Sequence, residues 1–472
     1  MKNIFTLLGR VCLVLFFVGP AAAEERPNVL FILVDDLGWS DVAYNGSRVY
    51  ETPHIDRLAM QGMVLTDFYS AGPVCSPTRA SILTGKAPAR SGLTTWLYTP
   101  ERDPPFIAHH LLLKEFTIAE ALSEAGYATG YFGKWHLGYK RQHWAAHQGF
   151  GTAKGGIDSP HAWKLAWPDR DPPLPEKHTR FFSPYHMTHL DNGPDGEYLT
   201  ERLTNETIAF IEQYRDSKSG NEKPFFAFLS FHTVHTPLQP KPKKIDKYKK
   251  KIAALGLGGK QEEDRHEKAF QNNAAYAGMV EHMDENVGRL LRRLDELKLS
   301  DNTIVVWTSD NGGKGSVTSN LPLRGMKHNL YEGGIRVPTI VRWPGRIASG
   351  SRNSTPLVST DFYPTLLQLT GCAPRKNQHV DGVSFSDVLL GERDTVDRDS
   401  LYWHYPHNRH EAAVREGRYK LLHRFKDDHV ELYDLETDIG EQKDVSHQQP
   451  KRTARMLGKL KQWQQTVGAR FD

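Results

Sequence analysis

Four short apolar runs, each stopping abruptly at chemically capable residues, constrain this chain more than any other feature. Val29 to Val34 (VLFILV) stops at Asp35-Asp36, and Ile304 to Thr308 (IVVWT) stops at Ser309-Asp310-Asn311-Gly312-Gly313. Phe225 to Phe231 (FFAFLSF) leads into His232 and His235, and Ala128 to Phe132 into Gly133-Lys134-Trp135-His136. Predominantly apolar runs of this length mark strands buried on both faces of a parallel sheet. Helical segments lie between them at Ile55 to Gln61, Ile118 to Ala125, Leu199 to Tyr214 and Ala274 to Leu297. The last carries Met279, Val280, Met283, Val287, Leu290, Leu291 and Leu294 at helical spacing, a core-facing stripe. This alternation predicts an α/β fold with its ligand site at the carboxyl edge of the sheet.

Each strand end has a local explanation beside the chemical one. Asp35-Asp36 suits a helix N-cap. Asn311-Gly312 suits a hairpin turn, although the polar Lys314 to Asn320 offers no returning strand. Acidic groups gathered at one sheet edge repel unless a cation neutralises them, and an all-oxygen set suits Ca²⁺ or Mg²⁺ rather than zinc or copper. Spacing alone leaves capping and metal ligation both open.

Pro73 to Gly85 (PVCSPTRASILTG) is the most informative stretch. Ser76 as N-cap, Pro77 at the first helical position and Gly85 as terminator predict a short helix. Cys75 then sits at a helix N-terminus, where free N–H groups favour an anion or thiolate, and Arg79 lies one turn on. A nucleophile, an anion-holding helix end and an arginine together suit a tetrahedral oxyanion. A cysteine phosphatase loop fits less well, because its arginine belongs where this chain has Ser81.

Cys75-Ser76-Pro77-Thr78-Arg79 with the trailing Leu83-Thr84-Gly85 resembles the signature of the formylglycine-dependent sulfatases, the arylsulfatase-like branch of the alkaline phosphatase superfamily. The resemblance continues through Asn28 to Gly38, Gly133 to Gly138 (GKWHLG), His235-Thr236-Pro237, Thr303 to Gly312, Leu323 to Lys327, Tyr331 to Pro338 (YEGGIRVP) and Leu432 to Asp438. It implies an α/β, alkaline-phosphatase-like fold: a large mixed, mostly parallel sheet between helices, with a smaller C-terminal antiparallel-sheet-plus-helix subdomain. Carried over, Cys75 is oxidised to formylglycine, whose hydrate is the nucleophile, and Arg79 stabilises that hydrate. Asp35, Asp36, Asp310 and Asn311 hold the divalent cation, Ca²⁺ with Mg²⁺ as the alternative, together with a hydroxyl at Cys75. Lys134 and Lys327 grip the sulfate, His235 with Lys327 protonates the departing alcohol, and His136 is the base that collapses the sulfo-enzyme intermediate.

The chemistry explains why a modified residue is used. A serine sulfate ester would need a second displacement, whereas a geminal diol keeps another hydroxyl whose deprotonation expels sulfate and re-forms the aldehyde. Taken singly, His136 reads equally as a core histidine, and Lys134 and Lys327 as solvated loop lysines; His232 is assigned a structural role. Thr78 and Met326 stand where relatives often have Ser and Gly, and neither change removes a functional side chain.

The implied substrate is a sulfated carbohydrate, and the implied partner is a formylglycine-generating maturation enzyme. Two rival readings are a phosphatase or phosphonate hydrolase of the same superfamily, and a silent sulfoglycan-binding protein with unmodified Cys75. Lys241 to Lys251, with seven lysines and one aspartate, reads as a solvated face or a polyanion contact. Gly92 to His110 either lines a sugar pocket through Trp96, Arg102 and His109 or packs as a surface loop, and residues 139–195 read as an insertion shaping the cleft mouth. Leu401 to Tyr405, Ala412 to Val414, Tyr419 to Leu422 and Glu431 to Tyr433 predict short antiparallel strands. A terminal helix follows, with Met456, Leu457, Leu460, Trp463 and Val467 on one stripe. The expected organisation is a signal peptide at 1–23, a catalytic domain at 24–385 and a C-terminal subdomain at 386–472.

Lys2, Arg10, the apolar Val11 to Val18 and Ala21-Ala22-Ala23 make the leader a secretory signal, implying a secreted or periplasmic protein with no membrane span. Its loss takes the formal charge from +4 to +2, by removing Lys2 and Arg10, too balanced for nucleic-acid binding. Cys12 leaves with it; in an oxidising compartment Cys75 and Cys372 would pair by default. The family resemblance instead reserves Cys75 for catalysis and leaves Cys372 a buried free thiol.

Overall fold

The computed structural model describes residues 26–97, 106–155, 181–185, 187, 189–215, 222–258 and 269–471. The expected leader, Arg102 and residues 156–180 of the expected insertion lie outside these residues. The large sheet contains β1 (Asn28–Val34), β2 (Met63–Leu65), β3 (Ala128–Gly133), β4 (Thr152–Lys154), β5 (Phe225–Ser230), β6 (Thr303–Ser309), β7 (Thr339–Arg342) and β8 (Ser351–Asn353). Their spatial order is β4-β3-β5-β1-β6-β7-β2-β8. Only β7 runs antiparallel to its neighbours among these strands. The four apolar runs of the sequence are therefore the four adjacent central strands β3, β5, β1 and β6.

Both faces of β1 are buried, as its unbroken apolar sequence demands. Leu30, Ile32 and Val34 pack with Met279, Val280, Met283, Val287 and Leu290 of α6 (Ala274–Glu296). On the same side lie α1 (Pro53–Gln61), α4 (Leu199–Arg215) and α5 (Pro242–Ala254). Val29, Phe31 and Leu33 face α2 (Cys75–Thr84), α3 (Ile118–Glu124) and α7 (Phe362–Leu369) on the other side. This three-layer arrangement leaves only the strand ends to reach solvent or ligand. Their register is level: Val34 pairs with Ser309, Leu33 with Ser230, and Gly133 with Ser230. Four polar strand ends thus finish together at one edge.

A second sheet of β9 (Ser400–Tyr405), β10 (Glu411–Glu416), β11 (Tyr419–Arg424) and β12 (His429–Asp434) is antiparallel in chain order. Period-two alternation gives it two apolar faces. Trp403, Ala413, Leu422 and Tyr433 pack on Tyr69, Val74, Leu330 and Ile335. Ala412, Val414, Leu421 and Leu432 pack on Met456 and Leu460 of α8 (Pro450–Val467). The lysine-rich run is Lys241, at the N-cap of α5, and the first turns of that helix; Lys241, Lys244, Lys247 and Lys251 are ion-paired with Glu201, Glu281, Glu285 and Glu51. These pairs support the solvated-face reading for four of the seven lysines, while Lys243, Lys249 and Lys250 are exposed. No helix among the described residues is long and apolar enough to cross a membrane.

The two sheets are joined by buried charge as well as by apolar packing. Lys420 of β11, fully buried, reaches Glu332 Oε1 at 2.9 Å and Glu441 Oε1 at 3.0 Å. Glu441 Oε2 in turn accepts from the Glu332 backbone N–H at 2.7 Å. Replacing Lys420 by methionine fills the space but leaves buried Glu441 without its cation and Glu332 with Arg336 alone, and should cost about 3–5 kcal/mol in urea unfolding.

Candidate active site

Helix α2 begins at Cys75, two residues earlier than the sequence predicts, with Val74 at the cap in extended conformation. Ser76 is therefore not the N-cap: its Oγ accepts the Leu97 N–H at 3.1 Å and ties down the following loop. Pro77 falls within the first turn, where its missing N–H would have had no helical partner anyway. Gly85 ends the helix at φ +66°, as expected. The whole helix is buried, so it presents Cys75 from beneath the sheet edge rather than from a surface loop.

No helix follows Asp35-Asp36; the chain turns with Asp36 at φ +64°, and the two carboxylates enter the site. Nor does Asn311-Gly312 close a hairpin: the next strand of the sheet is β7, beginning only at Thr339. The structure gathers Asp35, Asp36, Cys75, Arg79, Lys134, His235, Asp310, Asn311 and Lys327 into one connected cluster. Lys134 Nζ lies 2.6 Å from Asp35 Oδ2, and Lys327 Nζ lies 2.5 Å from Asp36 Oδ1. Arg79 donates through Nη2 to Asp310 Oδ2 at 2.7 Å, and through Nη1 to Ser230 Oγ at 2.5 Å and the Lys134 carbonyl at 2.8 Å. Three buried carboxylates thus meet three buried cationic groups, and the cluster is formally neutral.

Cys75 Sγ is 3.5 Å from both Asp35 Oδ1 and Lys327 Nζ. Burial pushes its thiol up to about 12, against the pull of Lys134 and Lys327. The helix-end thiolate expected from the sequence is thus opposed by desolvation, and an unmodified Cys75 is a poor nucleophile. Cys372 is the other free cysteine; it is half-buried, not fully buried as expected, and the two form no disulfide. Burial drives Asp36 upward, but Lys327, His235 and Lys134 outweigh it and hold it well below the carboxylate range. Lys327, despite burial, is held charged by Asp36. Burial raises Asp310, with Asp35 adding to it, against the lowering pull of Arg79.

The two histidines differ in which nitrogen is available. His235 Nδ1 contacts the Thr236 carbonyl at 2.6 Å, so Nδ1 carries a hydrogen and Nε2 faces Asp36 Oδ2 at 3.4 Å. His136 sits at φ +56° and bonds the Leu97 carbonyl through Nε2 at 2.7 Å. A carbonyl only accepts, which leaves the buried Nδ1 of neutral His136 as a lone pair with no hydrogen bond among the described residues. Burial, with Lys134 adding to it, pulls His136 well below its ordinary range and keeps it neutral.

Asp35, Asp36, Cys75 and His235 each present a ligand atom, all within 4.8 Å of one another. Buried Asn311 Oδ1 and Asp36 Oδ2 accept no hydrogen bond among the described residues. Oxygen donors that are buried yet lack hydrogens to accept fit a hard divalent cation. Asp310 is differently engaged, its Oδ1 taking the Asp36 N–H at 3.1 Å and its Oδ2 taking Arg79.

A profile of the Sulfatase family matches residues 27–372, nearly three-quarters of the chain. The chain belongs to the sulfatase family. A second profile, N-sulphoglucosamine sulphohydrolase, C-terminal, matches residues 326–466. This sulfatase is 31% identical to a sulfatase of Formosa agariphila, over 93% of its own length and 89% of that protein's. It is 33% identical to the N-acetylgalactosamine-6-sulfatase of Canis lupus familiaris, over 82% and 70% of the two chains. Among solved structures it resembles Ps i-CgsB in complex with k-i-k-neocarrahexaose, with TM-score 0.77, 28% identity and 93% of each chain covered. It is accordingly a sulfuric ester hydrolase.

Two site residues escaped the sequence analysis. Ser230 bridges Arg79 to the Lys134 carbonyl, donating to the latter at 2.7 Å. Its place at the end of an apolar run is the signal that pointed to the aspartates. His328 follows Lys327 and has no such signal. Arg79→Lys loses the fork that spans Asp310, Ser230 and the Lys134 carbonyl. It should lower kcat on an aryl sulfate by about 100-fold or more while the circular dichroism spectrum stays native.

Proposed function

We propose that this sulfatase hydrolyses a sulfate ester on a sulfated carbohydrate or glycan, using formylglycine made from Cys75 and a bound Ca²⁺, with Mg²⁺ as the alternative. The observation that carries the reading is Cys75 at 3.5 Å from both Lys327 and Asp35, inside a buried and formally neutral cluster. The glycan substrate is supported by relatives named N-acetylgalactosamine-6-sulfatase and by the neocarrahexaose complex of Ps i-CgsB. Residues 24–385 are read as the catalytic domain and 386–472 as the subdomain that braces it. A secreted or periplasmic location follows from the leader at 1–23, and a maturation enzyme of the host is the required partner.

Asp35, Asp36, Asp310 and Asn311 would hold the cation, with the residue-75 hydroxyl; when bound, it supplies positive charge against the sulfate oxygens and sharpens the nucleophile. Lys134 and Lys327, already oriented by Asp35 and Asp36, are preorganised for a sulfate oxygen and need little rearrangement to receive one. Arg79, fixed by Asp310 and Ser230, lies within electrostatic range of residue 75. For the departing alcohol, Lys327 is the proton donor that Asp36 keeps charged, and His235 completes the pair at Asp36 Oδ2. His136, neutral with a free Nδ1, takes the proton from the second hydroxyl as sulfate is expelled.

Three outcomes test this. The peptide containing Cys75, from a host with the maturation enzyme, carries an aldehyde in place of the thiol by mass spectrometry, and Cys75→Ala abolishes sulfate release. A panel of sulfated mono- and oligosaccharides, aryl sulfates and matched phosphate esters shows sulfate release as the dominant activity; faster phosphate release would favour the phosphatase reading. The His136 base works in its neutral form, and burial lowers its pKa, so activity is retained as pH falls through the ordinary histidine range near 6.5 and is lost only below it. A kcat profile with an acid limb centred on that ordinary value would exclude His136 as this base.

A further inference from the structure

A sulfate held by buried lysines leaves the alcohol half of the ester to extend past their neighbours, and the wall beside Lys327 combines aromatic and polar side chains. His328 sits on the same turn as Lys327, at φ +80°, and its N–H donates to the Pro73 carbonyl at 3.0 Å, so its place is fixed from the Cys75 loop. Its ring meets Trp96 edge-on, with centroids 4.9 Å apart, and its Nδ1 is 3.5 Å from the Tyr405 hydroxyl. That hydroxyl also accepts from Asn408 Nδ2 at 3.1 Å. Trp96 and His328 are half-buried and Asn408 is exposed. The wall adjoins the chemistry at both ends. Trp96 precedes Leu97, whose carbonyl holds His136 and whose N–H is held by Ser76, while His328 and Tyr405 both lie within electrostatic range of Lys327.

Three distant chain segments therefore build one surface: the loop after α2, the lysine-bearing turn and the end of β9 in the second sheet. Its composition is an indole edge, an imidazole and an exposed amide. Such a surface suits a sugar ring, whose C–H face stacks on aromatics while its hydroxyls bond to polar groups at the rim. An apolar aliphatic alcohol would leave the amide and imidazole unused. We propose that Trp96, His328 and Asn408, with Tyr405 as the residue that positions the last two, form the subsite for the sugar ring carrying the sulfate, so that the second sheet contributes to substrate selection. This deepens the sulfated-carbohydrate reading and rests on it.

The test uses the full-length, matured enzyme and the sulfated sugar that the wild type hydrolyses fastest, with inorganic sulfate as competing ligand. Trp96→Ala should raise KM at least about tenfold, the loss falling on KM rather than kcat, with the inhibition constant of inorganic sulfate within about twofold of wild type. Tyr405→Phe, which keeps the buried ring and so the fold, should raise KM by about threefold with the same unchanged sulfate inhibition. If Trp96→Ala fails to fold, Tyr405→Phe alone decides. Unchanged KM in the folded variants overturns the subsite. So does a sulfate inhibition constant that rises in parallel with KM, because the effect would then lie on the sulfate grip. Failure of the underlying reading appears separately, as a wild-type enzyme that releases sulfate from aryl esters but from no sugar.

Discussion

Burial of six charges at one sheet edge is the constraint on which this structure depends. Asp35, Asp36 and Asp310 face Arg79, Lys134 and Lys327, all essentially removed from solvent. Desolvating a single unpaired charge costs several kcal/mol, so each group is tolerable only in the presence of its partner. The cost is met because β1, β3 and β6 end level and deliver Asp35, Asp36, Lys134 and Asp310 to one edge, where Arg79 of α2 and Lys327 of the turn after β6 meet them. A polar set balanced in this way is preorganised: each charge is already held by its partners, so little need move to receive an anion.

Holding that edge in place is the work of the second sheet. Lys420 and Glu441 fix Glu332, and the turn after Glu332 brings the Gly334 carbonyl to the Gly312 N–H at 3.0 Å. A side chain at Gly312 would meet the Gly333 carbonyl at 1.9 Å, so glycine is required for this approach. Asn311 and Lys327 are thereby positioned from the far side, the latter also through its N–H to the Gly313 carbonyl at 3.1 Å. Buried ion pairs are weak sources of stability but good sources of unique geometry, which is the use made of them here.

Much of this was legible in the chain itself. The apolar runs gave the central strands to within a residue or two, because burial on both faces leaves a short apolar run whose length and flanking turn residues set it apart from a helix. The start of α2 lies two residues before its expected place because Ser76 is drawn away to Leu97, a contact that no local pattern encodes. Short strands β2, β4 and β8 carried no readable period, being only three residues each. Ser230 was overlooked although it obeyed the same strand-end logic as Asp35 and Asp310.

By itself, then, the sequence determined where the central strands end, which polar residues stand at those ends and that Cys75 opens a short helix, because apolar run length and the Cys75 to Gly85 motif are local properties of the chain. Tertiary structure alone decided their states. Whether Cys75 is a thiolate or a thiol, which nitrogen of His136 is free, and which lysine pairs with which aspartate depend on burial and on partners far away in the chain. Desolvation and charge pairing act through space, so no reading along the chain could fix them.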